Sequence, residues 1–178
     1  MAMESNIPPF VNHLPECLKE LHNSAVELAS NTNELNLQYI DSSVYLLALL
    51  QQDDMSSSTL WLHSTGLTGE VVIEKIIEDF DQRSPVELVY NEWDEQRPEQ
   101  VNVNFTQKAT KMFSYLEEHR RTRHVKAGVY FDDILKAIVL SDSRTVEKIF
   151  GSVGLSMSDV RFKLHIVTVE DLERTFNR

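Results

Sequence analysis

The chain has 178 residues, with 28 acidic and 17 basic side chains for a formal net charge of -11, 42% hydrophobic residues and a single cysteine, Cys17. A length in this range holds one domain or two very small ones and buries roughly 70% of its unfolded surface, enough for a core without staples. One cysteine excludes an internal disulfide framework and any cysteine-rich zinc module, so nothing points away from a reducing compartment.

No stretch reaches the roughly 18 consecutive apolar residues that a membrane span needs. The start of the chain, Met1 to Pro9, lacks the basic and apolar regions of a secretory signal, so a soluble cytoplasmic protein with no membrane partner is expected. The charge is unevenly divided. Residues 14–80 carry 2 basic and 11 acidic groups (-9) and residues 81–102 carry 2 and 6 (-4), whereas residues 103–165 carry 11 and 7 (+4). Such a split suggests two modules that face different neighbours, or each other.

In chain order, residues 1–13 read as a flexible segment. Leu14, Leu18, Leu21, Ala25 and Leu28, spaced 4, 3, 4, 3, then predict an amphipathic helix. A compact apolar block, Tyr45-Leu-Leu-Ala-Leu-Leu50, predicts a second helix. A third ends in Trp61-Leu-His-Ser-Thr-Gly66-Leu67, where Gly66 supplies a left-handed closing residue and Leu67 packs back. Thr68 caps a fourth, with Val72, Ile73, Ile76 and Ile77 as its stripe. Residues 81–104 form a long polar connector, with Val86, Leu88 and Tyr90 alternating as a short extended piece and Trp93 as its anchor to the domain.

The second half repeats the first. Phe105, Ala109, Met112 and Leu116 reproduce the 4, 3, 4 stripe at an offset of 91. Ile134-Leu-Lys-Ala-Ile-Val139 matches the apolar block at 89, and Ile149-Phe-Gly-Ser-Val-Gly154-Leu155 matches the glycine-closed helix at 88. Ser156 with Asp159 fits a capping box before Val160 and Leu164, and Thr168 with Asp171 opens a short terminal helix over 167–178. The expected fold is all-α, with two pseudo-symmetric four-helix units over 14–80 and 105–166 joined by the connector 81–104.

This arrangement resembles the double Clp repeat, the N-terminal domain of the Clp ATPases, which unfold proteins for proteases or dissolve aggregates. The resemblance rests on Asn104-Phe-Thr-Gln-Lys-Ala109, on Gly154-Leu-Ser-Met-Ser-Asp-Val160 and on Ile40-Asp-Ser-Ser-Val-Tyr-Leu-Leu-Ala-Leu-Leu50, where the family commonly has Gly-Thr-Glu-His before the leucines. It implies a non-catalytic module that binds a protein substrate or adaptor, or a free-standing accessory of a Clp ATPase ring or protease, monomeric in isolation. In members that recognise phosphoarginine, the glutamate of that stretch helps to bind the guanidinium. The aligned positions here are Ser43 and Asp132, and a serine cannot supply a charge-assisted pair, which counts against phosphoarginine binding. An unrelated α-helical scaffold protein is the alternative.

Nothing points to an enzyme or to a bound cofactor. There is no Gly-x-x-x-x-Gly-Lys-Ser/Thr loop for phosphates, and the chain has only 5 glycines. Cys17 reads as a small buried helix residue rather than a nucleophile, with no activating environment legible around it. His119 and His124 flank Arg120-Arg121-Thr122-Arg123, where nearby cations repel a metal; the run reads as a solvated helix end, and the net charge argues against nucleic acid. Asp132 and Asp133, with Tyr130 and Phe131 before them at a helix start, combine aromatic surface and carboxylate in a way suited to gripping a peptide. Ser43, Tyr130, Phe131, Asp132 and Asp133 are therefore the candidate partner-binding residues.

Overall fold

A computed structural model describes residues 16–30, 39–52, 57–80, 88–89, 104–122 and 131–164. Among them are eight helices: α1 (Glu16–Ser30), α2 (Ser42–Leu50), α3 (Ser57–Ser64), α4 (Gly69–Phe80), α5 (Gln107–Thr122), α6 (Phe131–Leu140), α7 (Arg144–Gly151) and α8 (Met157–Lys163). Three strands of two or three residues accompany them: β1 (Tyr39–Ile40), β2 (Leu88–Val89) and β3 (Asn104–Thr106). The described residues are mostly helical, in line with the all-α expectation, and the small sheet is an addition to it. The segment 1–13, most of the connector including Val86, Tyr90 and Trp93, and the tail 167–178 lie outside the described residues.

α2 sits at the centre because its sequence leaves no polar face: all nine residues, from Ser42 to Leu50, are buried. α1 packs on α2 with Leu21, Ala25 and Ala29 buried, and α5 packs on α6 with Ala109, Met112 and Leu116 buried. α2 and α6 lie against each other. α3 packs on both of them, as does α4 on α2 and α7, and α8 on α6 and α7. Deep in this core are Leu46, Leu47, Leu49, Leu62, Ile134 and Phe150; each such side chain contributes about 1.5–3 kcal/mol when removed from water. Trp61 of α3 is half-buried, its ring 6.0 Å from that of Phe150 on α7.

The helix ends follow from local chemistry. Gly66 and Gly154 adopt φ of +82° and +78°, the left-handed closure expected of them. Leu67 is buried after the first, and after the second the Leu155 N–H donates to the Phe150 carbonyl at 3.0 Å. Ser156 and Asp159 form the expected capping box, and the Thr68 hydroxyl accepts weakly from the Val71 N–H at 3.4 Å. Asp142, at φ 57°, carries a third left-handed turn without glycine. Of the apolar stripe expected on α4, Val72 and Ile76 are fully buried, Ile73 is half-buried and Ile77 is 38% exposed.

Phe105 departs from expectation, since it lies in β3 and not on α5. α5 begins only at Gln107 because Thr106 caps it, its hydroxyl accepting from the Ala109 N–H at 3.2 Å. β3 is the middle strand, parallel to β1 with Ile40 opposite Phe105, and antiparallel to β2 with Val89 opposite Phe105. Leu88, in the expected extended piece of the connector, thus joins the sheet. The parallel pairing brings the starts of α2 and α5 side by side, a point on which the site below depends.

Where α1, α2 and α5 meet, three rings cluster. His22 Nδ1 is 2.8 Å from the Tyr45 hydroxyl, and Phe113 meets the Tyr45 ring edge-on at 5.2 Å. Burial pushes His22 from its ordinary 6.5 down to about 4 and pushes the Tyr45 phenol up. Because the folded value of His22 is the lower one, the unfolded chain takes up its proton first as pH falls. The stability tied to the neutral ring is complete above pH 6.5 and is lost on acidification towards pH 4. Urea denaturation should show wild type losing about 3 kcal/mol relative to a His22→Leu variant between pH 7.5 and pH 4, at ~1.4 kcal/mol for each pH interval of one. A difference between the two proteins that stays constant with pH would contradict this account.

Candidate functional site

The starts of α2, α5 and α7 converge on one carboxylate. Asp41, the residue before α2, has no exposed surface. Its Oδ1 accepts from the Thr106 hydroxyl at 2.6 Å, and its Oδ2 from the Ser143 hydroxyl at 2.8 Å and the Ser43 hydroxyl at 3.0 Å. The Ser43 N–H adds a long contact of 3.5 Å to Oδ2. Beside this set, the Ser42 and Ser141 hydroxyls are hydrogen-bonded at 3.0 Å, and the Ser141 hydroxyl donates to the Ile138 carbonyl. Thr106 precedes α5 and Ser143 precedes α7, so Asp41 fastens three helix starts in one dry place.

A second carboxylate works in the other direction. Asp132, in the first turn of α6, accepts from both the backbone N–H of Ser58, at 3.0 Å, and the Ser58 hydroxyl. It therefore caps the start of α3 from a distant part of the chain. A third tie joins α4 to α7, where buried Asp79 accepts from the Thr145 hydroxyl and from Lys148 Nζ at 3.1 Å.

The expected partner-binding residues are thus distributed over different tasks. Ser43 is fully buried and donates to Asp41, while Asp132 accepts from Ser58. Asp133 is nearly buried and lines a cleft of about 280 Å3 between α5 and α6, together with Tyr115, Leu116, Glu118, Lys136, Ala137 and Leu140. Tyr130 lies outside the described residues, as does the side chain of Phe131, the first residue of α6. The side chains of Cys17, His119 and the Arg120–Arg121 pair, together with all of His124, are likewise outside them.

The α5–α6 cleft has the chemistry of a shallow side-chain receptor. Leu116, Ala137 and Leu140 supply apolar wall, Tyr115 an aromatic face with Lys111 5.9 Å from its centre, and Glu118, Asp133 and Lys136 charge of both signs. Among the described residues no group of three or more His, Cys, Asp or Glu side chains is placed to hold a metal, and no helix is long and apolar enough to cross a membrane.

The Asp41 network is the feature that residue patterns missed. The local signal, an aspartate directly before Ser-Ser and an apolar run, marks a helix cap; its donors Thr106 and Ser143 come from 65 and 102 residues away. No protein-family model and no curated protein matches the sequence.

Asp41→Ala removes the acceptor of three buried hydroxyls and should cost about 4 kcal/mol or more, since each lost bond to a carboxylate is worth ~1.5–3 kcal/mol. Asp41→Asn keeps one acceptor oxygen and should lose about half as much. Chemical denaturation followed by far-UV circular dichroism measures both; a loss below about 1 kcal/mol for Asp41→Ala would show that the network is not a structural tie.

Proposed function

We propose that the chain is a non-catalytic docking module of the Clp N-terminal-domain type. It binds a protein substrate or adaptor of a Clp unfoldase, as a domain of the ring or as a free-standing accessory. The observation that carries this reading is the reciprocal packing of the two halves. The third helix of each half lies on the second helix of the other, α3 on α6 and α7 on α2, with α2 and α6 in contact between them. Matched glycines, Gly66 and Gly154, close the third helix of each half in the same left-handed conformation. Two pseudo-symmetric four-helix units are what the double Clp repeat implies, and chain order, turn chemistry and cross-packing support that reading beyond helix content alone.

The module reading also suits the surface. The α5–α6 cleft offers apolar and charged contacts together, and Leu60 is 48% exposed on α3.

The test is capture of a purified Clp ATPase hexamer, and of an adaptor protein that works with it, by the immobilised chain. Saturable binding is expected, weakening as salt is raised from 50 to about 300 mM because the unequal charge of the halves guides docking. Tyr115→Ala and Lys136→Glu should each weaken that binding by roughly fivefold, at about 1 kcal/mol per lost contact. A folded chain that captures neither protein would favour the unrelated scaffold reading.

A further inference from the structure

α7 turns a second cleft to solvent. Its Thr145, Val146, Ile149 and Phe150 are buried, while Arg144, Glu147, Lys148 and Gly151 fall on the opposite face. With Leu155, Ser156 and Met157 from the turn into α8, these residues enclose about 410 Å3. Leu155 and Met157 are half-buried and rest on the core, forming an apolar wall. At Gly151 an added Cβ would meet nothing within 4 Å, so open space begins at the helix backbone and no packing demands a glycine there. Lys148 is engaged by Asp79, whereas Arg144 is exposed and has no partner among the described residues.

The geometry points to this cleft as a docking site for a short extended peptide of a partner protein, with one carboxylate on the Arg144 guanidinium and an apolar side chain over Gly151 against Leu155 and Met157. A guanidinium fork matches a carboxylate in shape and charge. Glu147, one turn beyond Arg144, repels a second acid, so the cleft selects a single acidic residue near an apolar one and not an acidic run. The rise from Arg144 to Gly151 along α7 is about 10 Å. An extended chain advances ~3.3 Å per residue, which places the acidic and apolar residues about three positions apart. This inference rests on the docking-module reading and adds to it the chemistry of what is docked.

The probe is a fluorescein-labelled peptide with one glutamate and, three positions on, one leucine in a glycine and serine background, titrated with the full chain by fluorescence anisotropy. Saturable binding is expected, and replacing the glutamate by glutamine or the leucine by serine should weaken it by roughly fivefold. Arg144→Gln should erase the preference for glutamate over glutamine while keeping that for leucine. Gly151→Leu should abolish binding with the melting temperature unchanged or raised, because leucine is the better helix former and the space is empty. Equal affinity for all three peptides, or wild-type binding by both variants, overturns the site. Ring capture that survives Gly151→Leu without any peptide binding refutes this cleft and leaves the module reading standing; selective peptide binding without ring capture does the reverse.

Discussion

The Asp41 carboxylate is closed off from bulk solvent, so the chain supplies its donors, and in doing so it ties together the starts of three helices. Burying such a group uncompensated would cost several kcal/mol, which makes the positions of Thr106, Ser43 and Ser143 obligatory rather than optional. The Thr106 hydroxyl has a second duty, accepting from the Ala109 N–H and so starting α5, whereas Ser143 makes no side-chain cap of α7 and spends its hydroxyl on Asp41. The short parallel pairing of β1 with β3 is what delivers Thr106 to this point, so a sheet of a few residues has an effect out of proportion to its size.

The three cross-chain carboxylates are arranged so that each half of the molecule holds a helix of the other. Asp41 of the first half holds Ser143 before α7, and Asp132 of the second half holds Ser58 in α3. Asp79 at the end of α4 then anchors the face of α7 through Thr145 and Lys148. α3 and α7 are short, eight residues each, and a helix of that length is marginal without tertiary support. The start of α3 is capped from outside by Asp132, that of α7 is tethered through the Ser143 hydroxyl to Asp41, and the two helices rest on α2 and, for α3, also on α6, which accounts for how eight-residue helices are held at all.

Much of this was legible in the sequence because it depends on neighbours in the chain. Leu21 and Ala25 of the first stripe, the Tyr45–Leu50 block of α2, the left-handed glycines at 66 and 154 and the Ser156–Asp159 box are local patterns that stand where the periodicity and cap chemistry put them, with Leu28 half-buried and Leu14 and the Leu18 side chain outside the described residues. What escaped depends on distant partners. Ser43 could be aligned as a departure from a family motif, but its role as a donor to Asp41 requires the fold. Asp132 looked free at a helix start, where carboxylates are favoured in any case, and the Ser58 that it caps is 74 residues away. Phe105 fitted a helical spacing that continued into α5; tertiary pairing with β1 and β2 overrode it.

The charge split takes on a more definite meaning once the acids are sorted by burial. In the first half, Asp41 and Asp79 are internal and satisfied, while Glu20, Glu27, Glu70, Glu74 and Glu78 are exposed. The one ion pair described between the halves, Lys148 with Asp79, uses an internal acid, so these exposed glutamates are not spent on the second half. Glu78 alone among them has a described salt-bridge partner, Lys75 on its own helix. Those described glutamates of the first half are therefore presented outward, as are Lys111, Arg144 and Lys163 on the second half. Electrostatics of this kind acts on what approaches the molecule more than on its folding, since exposed pairs contribute little to stability while fixed surface fields orient partners before contact.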